Sequence, residues 1–131
     1  VKREEEFSSA RIDVMSPDAK IRNMAAITLM DSGNPDAVEA LVAAIEVVAY
    51  REARGTLIYA LSGFDCSSRF SQIFRWAIEG GFEASHGAMS ILRDQGITPT
   101  ELEREECLAL FRDVQAQLDN DLLDELYTYL E

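Results

Sequence analysis

A single histidine limits the chemistry open to this chain. His86 is the only imidazole among 131 residues, so any Ser–His or Cys–His nucleophilic mechanism has to pass through it. Ser85 directly precedes it, but neighbours on a helix point in different directions, and no serine sits in a glycine-flanked nucleophile elbow. A triad would need tertiary structure alone to supply its geometry; a histidine on a helix surface or between repeats is the simpler expectation. Cys66 and Cys107 have neither metal-site nor redox spacing and no disulfide framework around them. Two such thiols are expected to be buried, in a reducing compartment. The chain holds too few His and Cys residues for a zinc site. Asp119, Asp121, Asp124 and Glu125 raise calcium, yet as an EF-hand loop they put Asp124 where glycine is required and supply no closing bidentate glutamate. They fit better as the acidic start of a helix. Gly80-Gly81 lacks a Walker lysine. No catalytic, metal-binding or cofactor-binding residue is assigned, and the chain reads as a non-enzyme without a cofactor.

What the acids can do is make a field. The net charge is −12, and it is unevenly placed: residues 1–60 carry seven basic and ten acidic groups, residues 61–100 three and four, and residues 101–131 only Arg104 and Arg112 against ten acids. Such a field attracts basic surfaces and repels nucleic acid and anionic membrane. Phosphate contacts need clustered Lys and Arg, so direct nucleic-acid binding is disfavoured. The cluster Glu101, Glu103, Glu105 and Glu106 continues through Asp113, Asp119, Asp121, Asp124 and Glu125 with little basic relief. A charge run is ordinarily a solvated helix face, but like charges at this density cost stability, and a domain that tolerates them has a use for the field on a basic partner. Trp76 is the other candidate. Its helix buries Phe70, Ile73, Phe74, Ala77 and Ile78, which leaves Trp76 near the margin of the stripe, wedged between repeats or exposed as an interface anchor. Tyr50, Tyr59, Tyr127 and Tyr129 divide in the same two ways.

The elements that position these residues read as helices. Ser16-Pro17, Asn34-Pro35 and Thr98-Pro99 each put an N-cap residue before a proline suited to a first turn, and Glu101 stands where it would complete a capping box with Thr98. Gly33, Gly63, Gly80-Gly81 and Gly96 supply stops. Between them the apolar spacing is helical, as in Val38, Leu41, Val42 and Ile45, in Phe70, Ile73, Phe74, Ala77 and Ile78, and in Cys107, Leu110, Phe111, Val114 and Leu118. No alternating run argues for a strand. The spacing predicts a flanking helix over 2–14, helix pairs over 17–49, 51–79 and 83–118, and a capping helix over 121–131, all in one domain of residues 1–131.

The pairs repeat. Arg22-Asn-Met-Ala-Ala-Ile-Thr-Leu29 returns 32 residues later as Arg54-Gly-Thr-Leu-Ile-Tyr-Ala-Leu61, and Val38, Leu41 and Val42 fall opposite Phe70, Ile73 and Phe74. A period of this size marks stacked helix pairs that bury a shared face. The third unit is weaker: Ala88–Leu92 matches Leu57–Leu61 at an offset of 31, but Ser85 holds the arginine slot. Arg22, Ala25, Ala26, Leu29, Gly33, Pro35, Ala37, Val38, Leu41, Ala44 and Ile45 resemble the HEAT repeat, closest to the short HEAT-like units of phycobilisome-linked lyases and bacterial scaffolds. The resemblance covers about residues 17–96. It implies an all-α HEAT-like α-solenoid of about three helix pairs with flanking N- and C-terminal helices, in which the arginine and small residues serve helix packing and turns.

A domain this long buries roughly two-thirds of its unfolded surface, and 47% apolar with 27% charged residues argues against wholesale disorder. No apolar run reaches the roughly 20 residues of a membrane span, and no signal-peptide pattern opens the chain. Val1 reads as a position left by methionine removal or as a boundary. The expected function is a non-enzymatic protein-binding module, most specifically a cytoplasmic, acidic immunity (antitoxin-like) protein that docks on and blocks a basic toxin such as a nuclease. The alternatives are a HEAT-like scaffold, adaptor or assembly factor and, last, a lyase-like subunit acting on a chromophore-bearing protein.

Overall fold

The computed structural model describes residues 2–131; Val1, read above as a position left by methionine removal or as a boundary, lies outside the described residues. Among these residues the chain is all-helical, without a strand. The helices are α1 (Lys2–Asp13), α2 (Ala19–Ser32), α3 (Ala37–Ile45), α4 (Gly55–Leu61), α5 (Phe70–Glu79), α6 (Phe82–Asp94), α7 (Glu101–Val114) and α8 (Asn120–Thr128), with 3-10 segments at Val48–Ala53 and Gln115–Gln117. None of them is long and apolar enough to cross a membrane.

Each expected helix is present, but those led by prolines start two residues later than expected. The Ser16 hydroxyl accepts from the Asp18 N–H at 3.1 Å, and the Asn34 side chain accepts from the Asp36 N–H at 2.9 Å. These bonds make each Xaa-Pro pair a lead-in turn instead of a first helical turn. Asp18 is the cap of α2, its carboxylate accepting from the Lys20 and Ile21 N–H groups. The capping box on α7 belongs to Thr100 and Glu103, not to Thr98 and Glu101: the Thr100 hydroxyl accepts from the Glu103 N–H at 3.2 Å, and the Glu103 carboxylate accepts from the Thr100 N–H at 3.0 Å. The second helices of the first and third expected pairs also stop early, α3 at Ile45 and α7 at Val114.

The chain divides into two compact units, the first ending at Asp65 and the second running from Cys66 to Glu131. In the first, α2 packs on α1 and α4, and α3 packs on α4. Its core is aliphatic, with Leu29, Leu41, Ile45, Leu57, Ile58 and Leu61 wholly buried. Burial follows the 32-residue repeat: Arg22 and Arg54, Ala25 and Leu57, Ala26 and Ile58, Leu29 and Leu61 are all buried. The Arg22 Nη1 donates to the carbonyls of Ser16 (2.9 Å) and Pro17 (3.4 Å), and its guanidinium lies 3.9 Å from the centre of the Tyr50 ring. Arg54 Nη1 donates to the carbonyl of Ile45, the last residue of α3, at 3.4 Å. Each arginine thus ties its own helix to the end of, or the turn after, the helix before it.

In the second unit, α5 packs on both α6 and α7. Here the core is aromatic: Phe70, Phe74 and Trp76 are wholly buried, Phe70 and Phe74 lie 5.6 Å apart, and Tyr129 at the end of α8 approaches Phe70 at 5.8 Å. Only Gly80 and Gly81 separate α5 from α6. A Cβ on Gly80 would lie 2.5 Å from the Ala84 Cβ, so a side chain there would force the two helices apart. Asp119 caps α8, its carboxylate accepting from the Leu122 N–H at 2.8 Å.

Candidate functional site

Ser85 and the two cysteines are placed for structure. Ser85 is buried, and its hydroxyl donates to the carbonyls of Ala77 (2.6 Å) and Gly80 (3.1 Å); its proton is committed to backbone, and no imidazole receives it. His86 is exposed, its ring 4.2 Å from that of Phe82. Cys66 and Cys107 are free and buried. Burial pushes the Cys107 thiol above its usual 9.0, with Glu103 and Glu106 adding to the rise against a hydrogen bond with Ser71. Burial and the raised pKa both favour its protonated form. Among the described residues no group of three or more His, Cys, Asp or Glu side chains is arranged to hold a metal ion.

Trp76 does not sit at a margin. It has no exposed surface, so it cannot serve as an exposed anchor. The reason lies in packing: two helices cover α5, and its buried face widens from a stripe to include Phe70, Ile73, Phe74, Trp76, Ala77 and Ile78 together.

The acids divide by job. The carboxylates of Glu103 and Asp119 cap helices. Both oxygens of Glu125 accept from Arg93 Nη1, at 3.0 and 3.1 Å. Glu101 pairs with Arg104 on the surface at 3.1 Å, a contact of little energetic weight. Glu105, Glu106, Asp113, Asp121 and Asp124 are exposed.

Three of these acids, Asp119, Asp121 and Glu125, line one cleft of about 800 Å³. Residues 117–122 and Glu125 form one wall; the end of α5 and the face of α6 carrying Phe82, His86 and Arg93 form the other. Glu101, Glu103, Glu105, Glu106, Asp113 and Asp124 lie outside it. The residue missed by sequence reasoning is Phe82, 80% exposed at the first position of α6. A signal for it existed: Phe82 heads the row His86, Ser90 and Arg93, spaced four, eight and eleven residues on, which is the polar face of its helix. An aromatic ring at the head of a polar row is an apolar group held in water. The cleft thus combines an exposed aromatic pair, one guanidinium already paired with Glu125, and a further carboxylate, Asp121. It can hold a cationic side chain between ring and carboxylate. Ser85 and His86 line it as well, the first with its hydroxyl donated to backbone carbonyls and the second beside the Phe82 ring. Comparison of the chain with protein-family models, with curated proteins and with solved structures finds no match.

Proposed function

We propose that this chain is a non-enzymatic protein-binding module that docks a basic partner in the cleft of its second unit. The observation that carries the proposal is Phe82, 80% exposed and tilted against the His86 ring at 4.2 Å, in a cleft that also contains Asp119, Asp121 and Glu125. A guanidinium or ammonium on the ring face gains a cation–π contact, and the nearby carboxylates complete the charge pairing. The ten acids beyond residue 100 supply the long-range field that speeds encounter with such a partner. The most specific form of the proposal is a cytoplasmic, acidic immunity (antitoxin-like) protein that covers the active surface of a basic toxin such as a nuclease. The net charge of −12, most of it carried beyond residue 100, supports it.

A second reading, a HEAT-like solenoid acting as scaffold or adaptor, is supported by a separate observation. Within the units α2 packs on α4 and α5 packs on α7, first helix on first and second on second in the numbering of the repeat. Both readings use the same cleft, and they differ in the partner. The test is capture of the binding partner on the immobilised chain, followed by kinetics with Phe82→Ala. The variant is expected to dissociate about tenfold faster or more, the effect of losing a hot-spot aromatic, with little change in melting temperature. Dissociation at the unmodified rate would remove the cleft from the interface.

A further inference from the structure

We infer that the first unit carries a second docking surface, the groove between α1 and α2, shaped for a basic amphipathic helix of a partner protein. The inference does not rest on the cleft of the second unit. It starts from α2, which is apolar on both faces. Its inward residues Ala25, Ala26 and Leu29 are buried, as a surface helix requires, but outward-facing Ile21 and Met24 are 45% and 64% exposed. A helix at a protein surface ordinarily turns a polar face to water.

These two side chains border a groove of about 560 Å³ whose lining includes the small, buried residues Ala10 of α1 and Ala25 of α2. Small residues there let an incoming backbone approach closely. The α1 side of the groove is acidic: Glu5, Glu6 and Asp13 line it, against Lys2 as the only cation among its lining residues. The groove is therefore apolar along one edge and negative along the other. Its complement is a helix with apolar anchors at i, i+3 or i+4 and i+7 and with lysines or arginines on one flank. The acidic edge from Glu5 to Asp13 spans eight residues, a rise of about 12 Å, or two turns of a docked helix. Met24 adds an unbranched, polarizable side chain that can conform to different anchors. An acidic or neutral helix would leave the carboxylates of α1 facing like charge or apolar surface.

The probe is a synthetic 14-residue helical peptide with leucines on one face and lysines on its flanks, titrated into the full chain labelled with nitrogen-15. A control peptide carries glutamates in place of the lysines. Amide shifts are expected along α1 and α2, with Ile21 and Met24 among the largest. Affinity should fall about tenfold or more in Met24→Glu and in the double variant Glu5→Lys/Glu6→Lys, and the glutamate peptide should not bind. Met24 is exposed, so the variant's melting curve should match that of the unmodified chain. Shifts confined to α7 and α8, or equal affinity in Met24→Glu, would overturn the inference. So would sedimentation showing a dimer that Met24→Glu dissolves while the lysine peptide fails to bind, since the face would then belong to a second copy of this chain.

Discussion

In the unit ending at Asp65, the buried polar side chains of the described residues are two arginines; in the unit beginning at Cys66 there is one such side chain, a serine. Ser85 stands 31 residues after Arg54, in the slot that the arginines occupy at a spacing of 32. Its hydroxyl donates to carbonyls at the end of the preceding helix, as Arg54 does to Ile45. The job survives while the residue changes. A hydroxyl reaches only a short distance, and it suffices because the two-residue link brings α5 and α6 so close that a Cβ on Gly80 would not fit. The same slot is filled by a long cation where the helices are joined by longer segments and by a short donor where they nearly touch. The units also differ in what they expose. The first carries seven basic and eleven acidic groups and an apolar edge on α2; the second carries five and thirteen, with Phe82 standing among the acids.

The comparison can be broken most easily at the aromatic core. Trp76→Ala should cost about 3–5 kcal/mol in chemical denaturation, the usual range for a large buried ring. A loss below about 1 kcal/mol would mean that the second unit is not held by its aromatics.

The buried donors come next. Arg22→Ala removes a charged donor to two carbonyls and a ring contact, and should cost about 2–3 kcal/mol; Ser85→Ala, losing neutral hydrogen bonds, should cost about 1 kcal/mol. A silent Ser85→Ala would show that the slot has lost its role in the second unit.

The smallest effect is a pH dependence. Burial raises the Cys107 pKa above 9.0, so the unfolded chain loses this proton first as pH rises. The associated stability is fully present below pH 9.0 and declines above it toward the folded-state pKa. Cys107→Ala should flatten the alkaline fall of the melting temperature, and an unchanged slope would assign that fall to other groups such as Tyr129, whose hydroxyl burial also pushes up.

Helices were legible in the chain because apolar spacing is a local property, and Leu41, Val42 and Ile45 or Ile73 and Phe74 declare their face without help. Their starts were less so. A proline after Ser16 or Asn34 suits a first helical turn, and only the side-chain bonds to Asp18 and Asp36 decide for a preceding turn. Trp76 could be read either as wedged in or as an exposed anchor, and the structure buries it; a helix's own sequence does not say how many neighbours will cover it. The cleft was illegible for a related reason. Its two walls come from separate stretches of chain, joined by the Arg93–Glu125 pair across 32 residues, and no spacing rule connects Phe82 with Asp121.

The central claim is that the acidic second unit docks a basic protein. Its most direct test is the association rate of the captured partner as a function of salt, measured for the unmodified chain and for a variant carrying Glu101→Lys, Glu105→Lys, Glu106→Lys and Asp121→Lys. None of these four residues caps a helix. The expected result is a partner of net positive charge whose association slows about tenfold or more in the variant at low salt. At about 1 M salt, where the screening length is about 3 Å, the two rates should converge. A neutral or acidic partner, or equal rates for the two chains at low salt, would contradict the account.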